Sequence, residues 1–82
     1  MIKNMRKRTL KTVIAFYTTA DAMETEDIFN KCNTKGRLIP VPREISAGCG
    51  IAWAMSTEAY KNIPDDIMRA LPEPEEVKVL LL

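Results

Sequence analysis

The sequence contains no histidine and few cysteines, and these absences remove most common catalytic and metal-binding chemistries. Its 82 residues include two cysteines, three glycines and one tryptophan. Without histidine, the chain lacks the usual general base of cysteine and serine nucleophilic catalysis. Cys32 and Cys49 do not have C-x-x-C spacing, and alone they cannot supply a four-ligand zinc site. A metal would need carboxylates or a second subunit, so we expect no metal site. There is also no cofactor-binding fingerprint, and we expect no cofactor.

Long apolar runs are missing too, as is a signal peptide with a hydrophobic centre and a cleavage site. We therefore expect no membrane span and a cytoplasmic location. A disulfide between Cys32 and Cys49 is allowed by count, but structural disulfides are rare in a reducing cytosol. The net charge of +1 lacks the basic excess that is usual in nucleic-acid-binding domains. We expect no nucleic-acid partner.

Composition predicts one small ordered domain preceded by a basic tail. The chain is 46% hydrophobic and 28% charged, which suits one core at this length and does not suit disorder. We expect residues 1–11 to form a solvated tail and residues 12–82 to form the domain. A nucleic-acid arm is the alternative for the tail, but no aromatic residues are interleaved with its basic ones. Those basic residues are Lys3, Arg6, Lys7, Arg8 and Lys11.

The first half of the domain reads as a strand followed by an amphipathic helix. Residues 12–18 are rich in β-branched and aromatic side chains, which is typical of a buried strand. Thr19 or Asp21 is expected to cap the helix, and Gly36 to end it in a left-handed conformation. Apolar and small residues recur at helical spacing, which predicts a core-facing stripe that includes Cys32. The stripe comprises Ala22, Thr25, Ile28, Phe29 and Cys32.

The second half predicts two more strands, a kinked helical region and a final strand. Residues 37–41 contain Pro40, which favours an edge strand, and residues 51–56 alternate with period two. Ser56 is expected to cap a helical region that Pro64 kinks or splits, and residues 77–82 form the last strand. The resulting βαββαβ order predicts an α+β ferredoxin-like fold, four antiparallel strands with both helices on one face. The other face would be open, so we expect a homodimer through it.

Cys49 lies in an unusual local sequence, GRLIPVPREISAGCGIAWAM, between Gly48 and Gly50. Small neighbours, including Ser46, leave the sulfur accessible, and glycines let the backbone direct N–H groups at one point. Such surroundings favour the thiolate, the reactive form of cysteine. Arg43 would help if the loop folds back. The alternative is a buried and inert cysteine beside Arg43 and Glu44 that form only a surface ion pair.

The same stretch resembles the selenium/sulfur carrier protein-like family of short bacterial proteins. The resemblance rests on Arg37 to Ser46 (RLIPVPREIS) followed by Cys49-Gly50, and it extends over residues 13–56. It implies that the Cys49 thiolate holds a persulfide or perselenide. The atom would pass from a donor protein, such as a cysteine desulfurase, to an acceptor enzyme. Arg43, Glu44, Ser46, Gly48 and Gly50 are the expected surroundings or partner contacts of that thiol.

Two other classes of function stay open. The chain is also explained as a small dimeric ligand-binding module, or as an adaptor whose sheet face docks onto an enzyme. Both alternatives predict that Cys49→Ser has no effect. A catalytic role of its own is disfavoured because there is a single candidate thiol and no histidine.

Overall fold

The computed structural model describes residues 8–82, so most of the basic tail lies outside the described residues. These residues form four strands and three helices in the order βαββααβ. The strands are β1 (Leu10–Ala15), β2 (Arg37–Pro40), β3 (Ile51–Ser56) and β4 (Glu76–Leu81). The helices are α1 (Thr19–Lys31), α2 (Thr57–Lys61) and α3 (Asp65–Ala70). No helix among residues 8–82 has the length and apolar character needed to cross a membrane.

The strands form one antiparallel sheet in the order β2-β3-β1-β4. β1 is central and pairs with β3, so that Ala15 lies opposite Ala52, and with β4, so that Leu10 lies opposite Leu81. This order confirms the α+β ferredoxin-like arrangement predicted from the sequence. β2 is an edge strand, as its proline required. The segment expected to be tail contributes to the sheet, because β1 begins at Leu10.

The larger core lies between the sheet and the helices. Trp53 on β3 is buried and packs against Phe29 of α1, with ring centroids 5.0 Å apart. Phe16, which follows β1, and Met55 of β3 complete the centre of this cluster. The period-two pattern of β3 explains the arrangement, since Trp53 and Met55 point to the helices while Ala52 and Ala54 point away.

The opposite face of the sheet is partly covered, which corrects the expectation of an open face. Val13, Ala15 and Ala52 form a second buried cluster there, together with Ile45 from the connection between β2 and β3. Ile45 is 3% exposed. The connection folds over this face because Ile45 is its largest apolar side chain, and burying it together with parts of Val41 and Ala47 removes apolar surface from water.

The ends of α1 differ from the sequence prediction. The N-cap is Thr18, not Thr19 or Asp21, and its hydroxyl accepts a hydrogen bond from the Asp21 N–H (3.0 Å). The helix ends at Lys31, so Cys32 is the C-cap and is exposed, and the prediction that it faces the core is wrong. Asn33, with φ 58°, takes the left-handed position expected of Gly36.

The second helical region matches the prediction closely. Ser56 caps α2, and its hydroxyl accepts from the Ala59 N–H (3.0 Å). Pro64 splits the region and acts as the N-cap of α3, because proline lacks the N–H that a continuous helix needs. The two short helices together leave part of the sheet uncovered. α2 packs on β1 and β3, while Val79 and Leu81 of β4 stay exposed.

Candidate functional site

The connection between β2 and β3, residues 41–50, is an ordered loop made of two turns. The Ile45 N–H donates to the Pro42 carbonyl (3.0 Å), and the Gly50 N–H donates to the Ala47 carbonyl (3.4 Å). The Val41 N–H closes the base of the loop on the Gly50 carbonyl (3.0 Å). These three bonds give the segment a defined shape, and they account for its backbone groups without a helix or strand. We call this segment the 41–50 loop.

Two contacts fix the 41–50 loop to the sheet. Ile45 inserts into the cluster on the face away from the helices. The Lys78 ammonium of β4 donates to the Glu44 carbonyl (3.3 Å). Both contacts come from the turn at residues 42–45, so this turn is anchored. Val41 and Ala47 also pack against the same cluster, so the contacts with the sheet face continue along the loop towards Cys49.

Cys49 lies in the second turn and is half-buried. Its side chain packs against the helix-side core, and its thiol donates a hydrogen bond to the Ile51 carbonyl (Sγ–O 3.1 Å). A carbonyl oxygen accepts a hydrogen bond from a thiol, but it has no hydrogen to donate to a thiolate. The contact with the Ile51 carbonyl is therefore one that the protonated thiol makes.

The glycines on either side of Cys49 border open space. A Cβ atom built on Gly48 or on Gly50 would have no other heavy atom within 4 Å beyond its chain neighbours. Gly50 has φ +77°, a conformation that side chains other than glycine adopt with strain. Its N–H is used inside the turn, so the expected role of Gly50 as a donor to the sulfur is wrong. Clearance is the property that both glycines provide.

The charged and polar residues predicted for the site are exposed and do not gather around the sulfur. Arg43, Glu44 and Ser46 lie on the outer surface of the loop. Within residues 8–82, no salt bridge joins Arg43 to Glu44 and no hydrogen bond joins Arg43 to Cys49. Among the described residues, the structure therefore contains neither an ion pair between Arg43 and Glu44 nor an Arg43 side chain folded back onto Cys49. These side chains are free to meet another molecule.

Three contacts of the site were missed by sequence reasoning. Ile45 had a signal, since it is the large apolar residue between charged and small neighbours. The bond from Cys49 to the Ile51 carbonyl had none, because a backbone acceptor can belong to any residue. The contact from Lys78 joins residues that are 34 positions apart. Only the tertiary fold brings such residues together.

Cys32, the other thiol, lies on α1's C-cap and is exposed, and both cysteines are free. Among residues 8–82 there is no group of three or more His, Cys, Asp or Glu residues positioned to hold a metal ion. Because both cysteines are free, the structure contains no disulfide between Cys32 and Cys49, the pairing that the sequence allowed by count but disfavoured.

A separate concavity lies under α3, on the helix side of the sheet. It has a volume of about 280 Å³, and its wall is mainly apolar. Thr25 contributes to the wall, and its buried hydroxyl has no hydrogen-bond partner within residues 8–82. The concavity exists because α3 is short and stands off from β4. Its lining also includes Ile14, Phe16, Met68, Leu71 and Val77.

The arrangement agrees with a comparison against protein families. The family model described as "Putative Se/S carrier protein-like" matches residues 11–77, a span that contains the whole 41–50 loop and Cys49. No curated protein and no solved structure matches the chain. A match over residues 11–77 covers well over half of the 82 residues. The chain belongs to the Se/S carrier protein-like family.

Proposed function

We propose that this chain carries sulfur or selenium, with the Cys49 thiol as the atom that holds the cargo. The donor would be a persulfide-bearing protein such as a cysteine desulfurase, and the acceptor an enzyme that uses the atom. The observation that carries the proposal is the position of Cys49. It lies on an ordered loop, at a turn flanked by two glycines with open space around them. Family membership supports the same reading.

The proposed transfer balances without a cofactor or an external oxidant. The Cys49 thiolate attacks the terminal sulfur of a donor persulfide, R–S–SH. A new S–S bond forms on Cys49 as the donor's S–S bond breaks, and the donor leaves as a thiolate that takes the proton given up by Cys49. The acceptor's nucleophile then attacks the terminal sulfur of Cys49–S–SH and releases the Cys49 thiolate. Replacing the terminal sulfur with selenium gives the same balance.

The geometry suits a thiol that stays hydrogen-bonded within its own chain until a partner protein binds. Before attack the sulfur must break its bond to the Ile51 carbonyl, and a donor that supplies its own hydrogen bonds offsets that loss. Approach would come from the side of Gly48 and Gly50, where nothing obstructs it. The chain needs no base of its own, because the donor active site provides proton acceptors.

The exposed residues of the 41–50 loop supply surface for such a partner. Arg43 and Glu44 lie at the anchored turn, and Ser46 lies between that turn and Cys49. Their charges and hydroxyl are unused within residues 8–82, so pairing with a donor or acceptor would not disrupt the fold. We assign them to partner recognition. Gly48 and Gly50 provide access to the sulfur.

Intact mass spectrometry after anaerobic incubation with a cysteine desulfurase and free cysteine tests this function. Wild type and Cys32→Ser should gain one sulfur atom that dithiothreitol removes, and Cys49→Ser should gain none. Cys32→Ser is the matched control because Cys32 is the more exposed thiol. No adduct on wild type, or equal labelling of Cys32, would reject Cys49 as a carrier thiol for that donor. A perselenide donor in place of the persulfide tests the selenium reading.

The concavity under α3 favours one alternative, a ligand-binding module without thiol chemistry. Apolar walls with one buried, unpartnered hydroxyl, that of Thr25, suit a small, mainly apolar molecule that carries a polar group to bond the hydroxyl. In that case a screened ligand would raise the melting temperature equally in wild type and Cys49→Ser. A carrier without such a ligand shows no such rise.

Two further expectations from the sequence stay proposals. The homodimer through the sheet face would have to use the part that Ile45 and the 41–50 loop leave uncovered. A cytoplasmic location would keep Cys49 reduced and ready to accept a sulfur atom.

A further inference from the structure

The two edges of the sheet differ in how well they are protected from pairing with another strand. At one edge, β2 spans only Arg37–Pro40 and ends in a proline, and Pro42 follows. Short length and proline are two of the devices that prevent edge-to-edge association. At the other edge, β4 is longer and contains no proline. Its single interior charge is Lys78, which is held towards Glu76 and the Glu44 carbonyl.

The backbone of β4 presents unused hydrogen-bonding groups on its outer side. Thr9 and Leu82 exchange two hydrogen bonds, Thr9 N–H to Leu82 carbonyl (3.0 Å) and Leu82 N–H to Thr9 carbonyl (3.1 Å). Hydrogen-bonded and non-bonded pairs alternate along an antiparallel ladder. The backbone groups of Val77, Val79 and Leu81 therefore point away from β1. Within residues 8–82, no strand lies beyond β4 to receive them.

The same residues carry the exposed apolar surface of this region. Val79 is 49% exposed and Leu81 is 55% exposed, and both side chains point to the helix side of the sheet. Leu10, the register partner of Leu81, is 59% exposed. These residues form a continuous row because α2 and α3 are too short to cover it. The outward-pointing backbone groups and the exposed apolar side chains therefore lie on the same strand, β4.

We propose that β4 pairs antiparallel with β4 of a second copy of this chain. The strand is self-complementary in one register, in which Val79 lies opposite its own copy and Val77 opposite Leu81. That register pairs every residue from 76 to 82. It also sets the outward-pointing N–H and C=O groups of the odd-numbered residues in one copy opposite those of the other. Moving the register two residues towards the start of the strand sets Lys78 opposite its own copy, where like charges destabilise a pair. Moving it the other way leaves Glu76 and Val77 unpaired.

The two-fold pairing joins the apolar rows of both copies into one surface. Leu81 would then lie between Leu10 of its own chain and Val77 of the other, so all three lose exposure to water. The pairing occupies the β4 edge of both copies. No β4 edge is then left for a third copy, so association stops at a dimer. The Cys49 end of the 41–50 loop leads into β3, which β1 separates from β4, so the pairing leaves both Cys49 thiols accessible. The dimer is independent of the carrier chemistry and goes beyond it.

Sedimentation equilibrium of the whole chain under reducing conditions, from micromolar to near-millimolar concentration, tests the proposal. Wild type should pass from 9.3 kDa to twice that mass as concentration rises. Val79→Lys places two like charges at the two-fold axis and should raise the dimer dissociation constant by about a hundredfold or more. Met23→Lys is the matched control. It adds the same charge at a similarly exposed apolar residue on α1 and should leave the dissociation constant unchanged.

Amide hydrogen exchange on wild type identifies the surface even if Val79→Lys fails to fold. In the dimer the amides of Val77, Val79 and Leu81 should be protected, and dilution should remove that protection. A chain that stays at 9.3 kDa throughout overturns the proposal. So does a dimer in which these three amides exchange freely, which would indicate association through the sheet face. Growth into larger oligomers would also contradict it, since the two-fold pairing leaves no free β4 edge.

Discussion

The two connections that flank β2 each contain a cysteine and at least one glycine, but they are built in opposite ways. In the connection before β2, Cys32 is exposed at the end of a helix, and Gly36 lies against the ring of the buried Trp53. The 41–50 loop holds Cys49 half-buried in a hydrogen-bonded turn, while its glycines face open space. Judged by solvent exposure alone, Cys32 would be the better candidate for a functional thiol. The surroundings favour Cys49 for the proposed carrier function, because such a thiol needs a fixed position and room for a partner to approach.

The largest expected effect is the loss of stability when Gly36, the glycine that lies against the Trp53 ring, is replaced. In Gly36→Ala the new Cβ would lie 2.6 Å from three ring atoms of Trp53, and Trp53 is buried against Phe29. The ring cannot move without disturbing the core, so the free energy of unfolding should fall by about 3 kcal/mol. Urea denaturation followed by tryptophan fluorescence measures it. A loss no larger than that of Gly48→Ala would show that the ring moves freely, and the contrast between the connections would fail.

A smaller effect tests the anchor of the 41–50 loop. Ile45→Ala removes most of a side chain that packs on Val13, Ala15 and Ala52, and it should cost about 2 kcal/mol of stability. Because the loop loses its anchor, iodoacetamide should alkylate Cys49 faster than in wild type. Ile28→Ala, at a half-buried position of α1, is the control and should leave the Cys49 rate unchanged. An unchanged rate in Ile45→Ala would mean that the hydrogen bonds alone fix the loop.

The smallest effect separates the two glycines that flank Cys49. Gly50→Ala should cost about 1 kcal/mol because φ +77° strains a residue with a Cβ. Gly48→Ala should change stability by less than about 0.5 kcal/mol, since its Cβ would meet nothing within 4 Å. Thermal unfolding of both variants measures the difference. Equal losses would mean that the turn at residues 47–50 needs glycine at both positions.

Several elements could be predicted because their causes are local. The alternation in β3, the break at Pro64 and the cap at Ser56 depend on neighbouring residues, and all three are as predicted. The end of α1 was mispredicted for a local reason too. Asn33 competes with Gly36 for the left-handed position, and the chain stops the helix at the earlier residue. Gly36 is then used for a close approach to Trp53, a residue 17 positions away.

The site was only half predictable. The motif pointed to Cys49 and to flexible, uncrowded neighbours, and Gly48 and Gly50 do leave space. Arg43 was expected near the sulfur, but the turn at residues 42–45 is oriented by Ile45, which leaves Arg43 on the outer surface. A single buried apolar residue thus decides where the charges of the loop point. Burial depends on the sheet beneath, which the sequence of the loop does not contain.

By itself the sequence determined the elements, their order and the absence of histidine chemistry, because these follow from composition and from patterns a few residues long. The tertiary structure decided what each segment faces. It placed Ile45 over part of one sheet face, bonded Cys49 to the Ile51 carbonyl and, within residues 8–82, left the outer edge of β4 without a neighbouring strand. These contacts depend on which strands become neighbours. That choice is made by burying one core across the whole chain, and no local pattern encodes it.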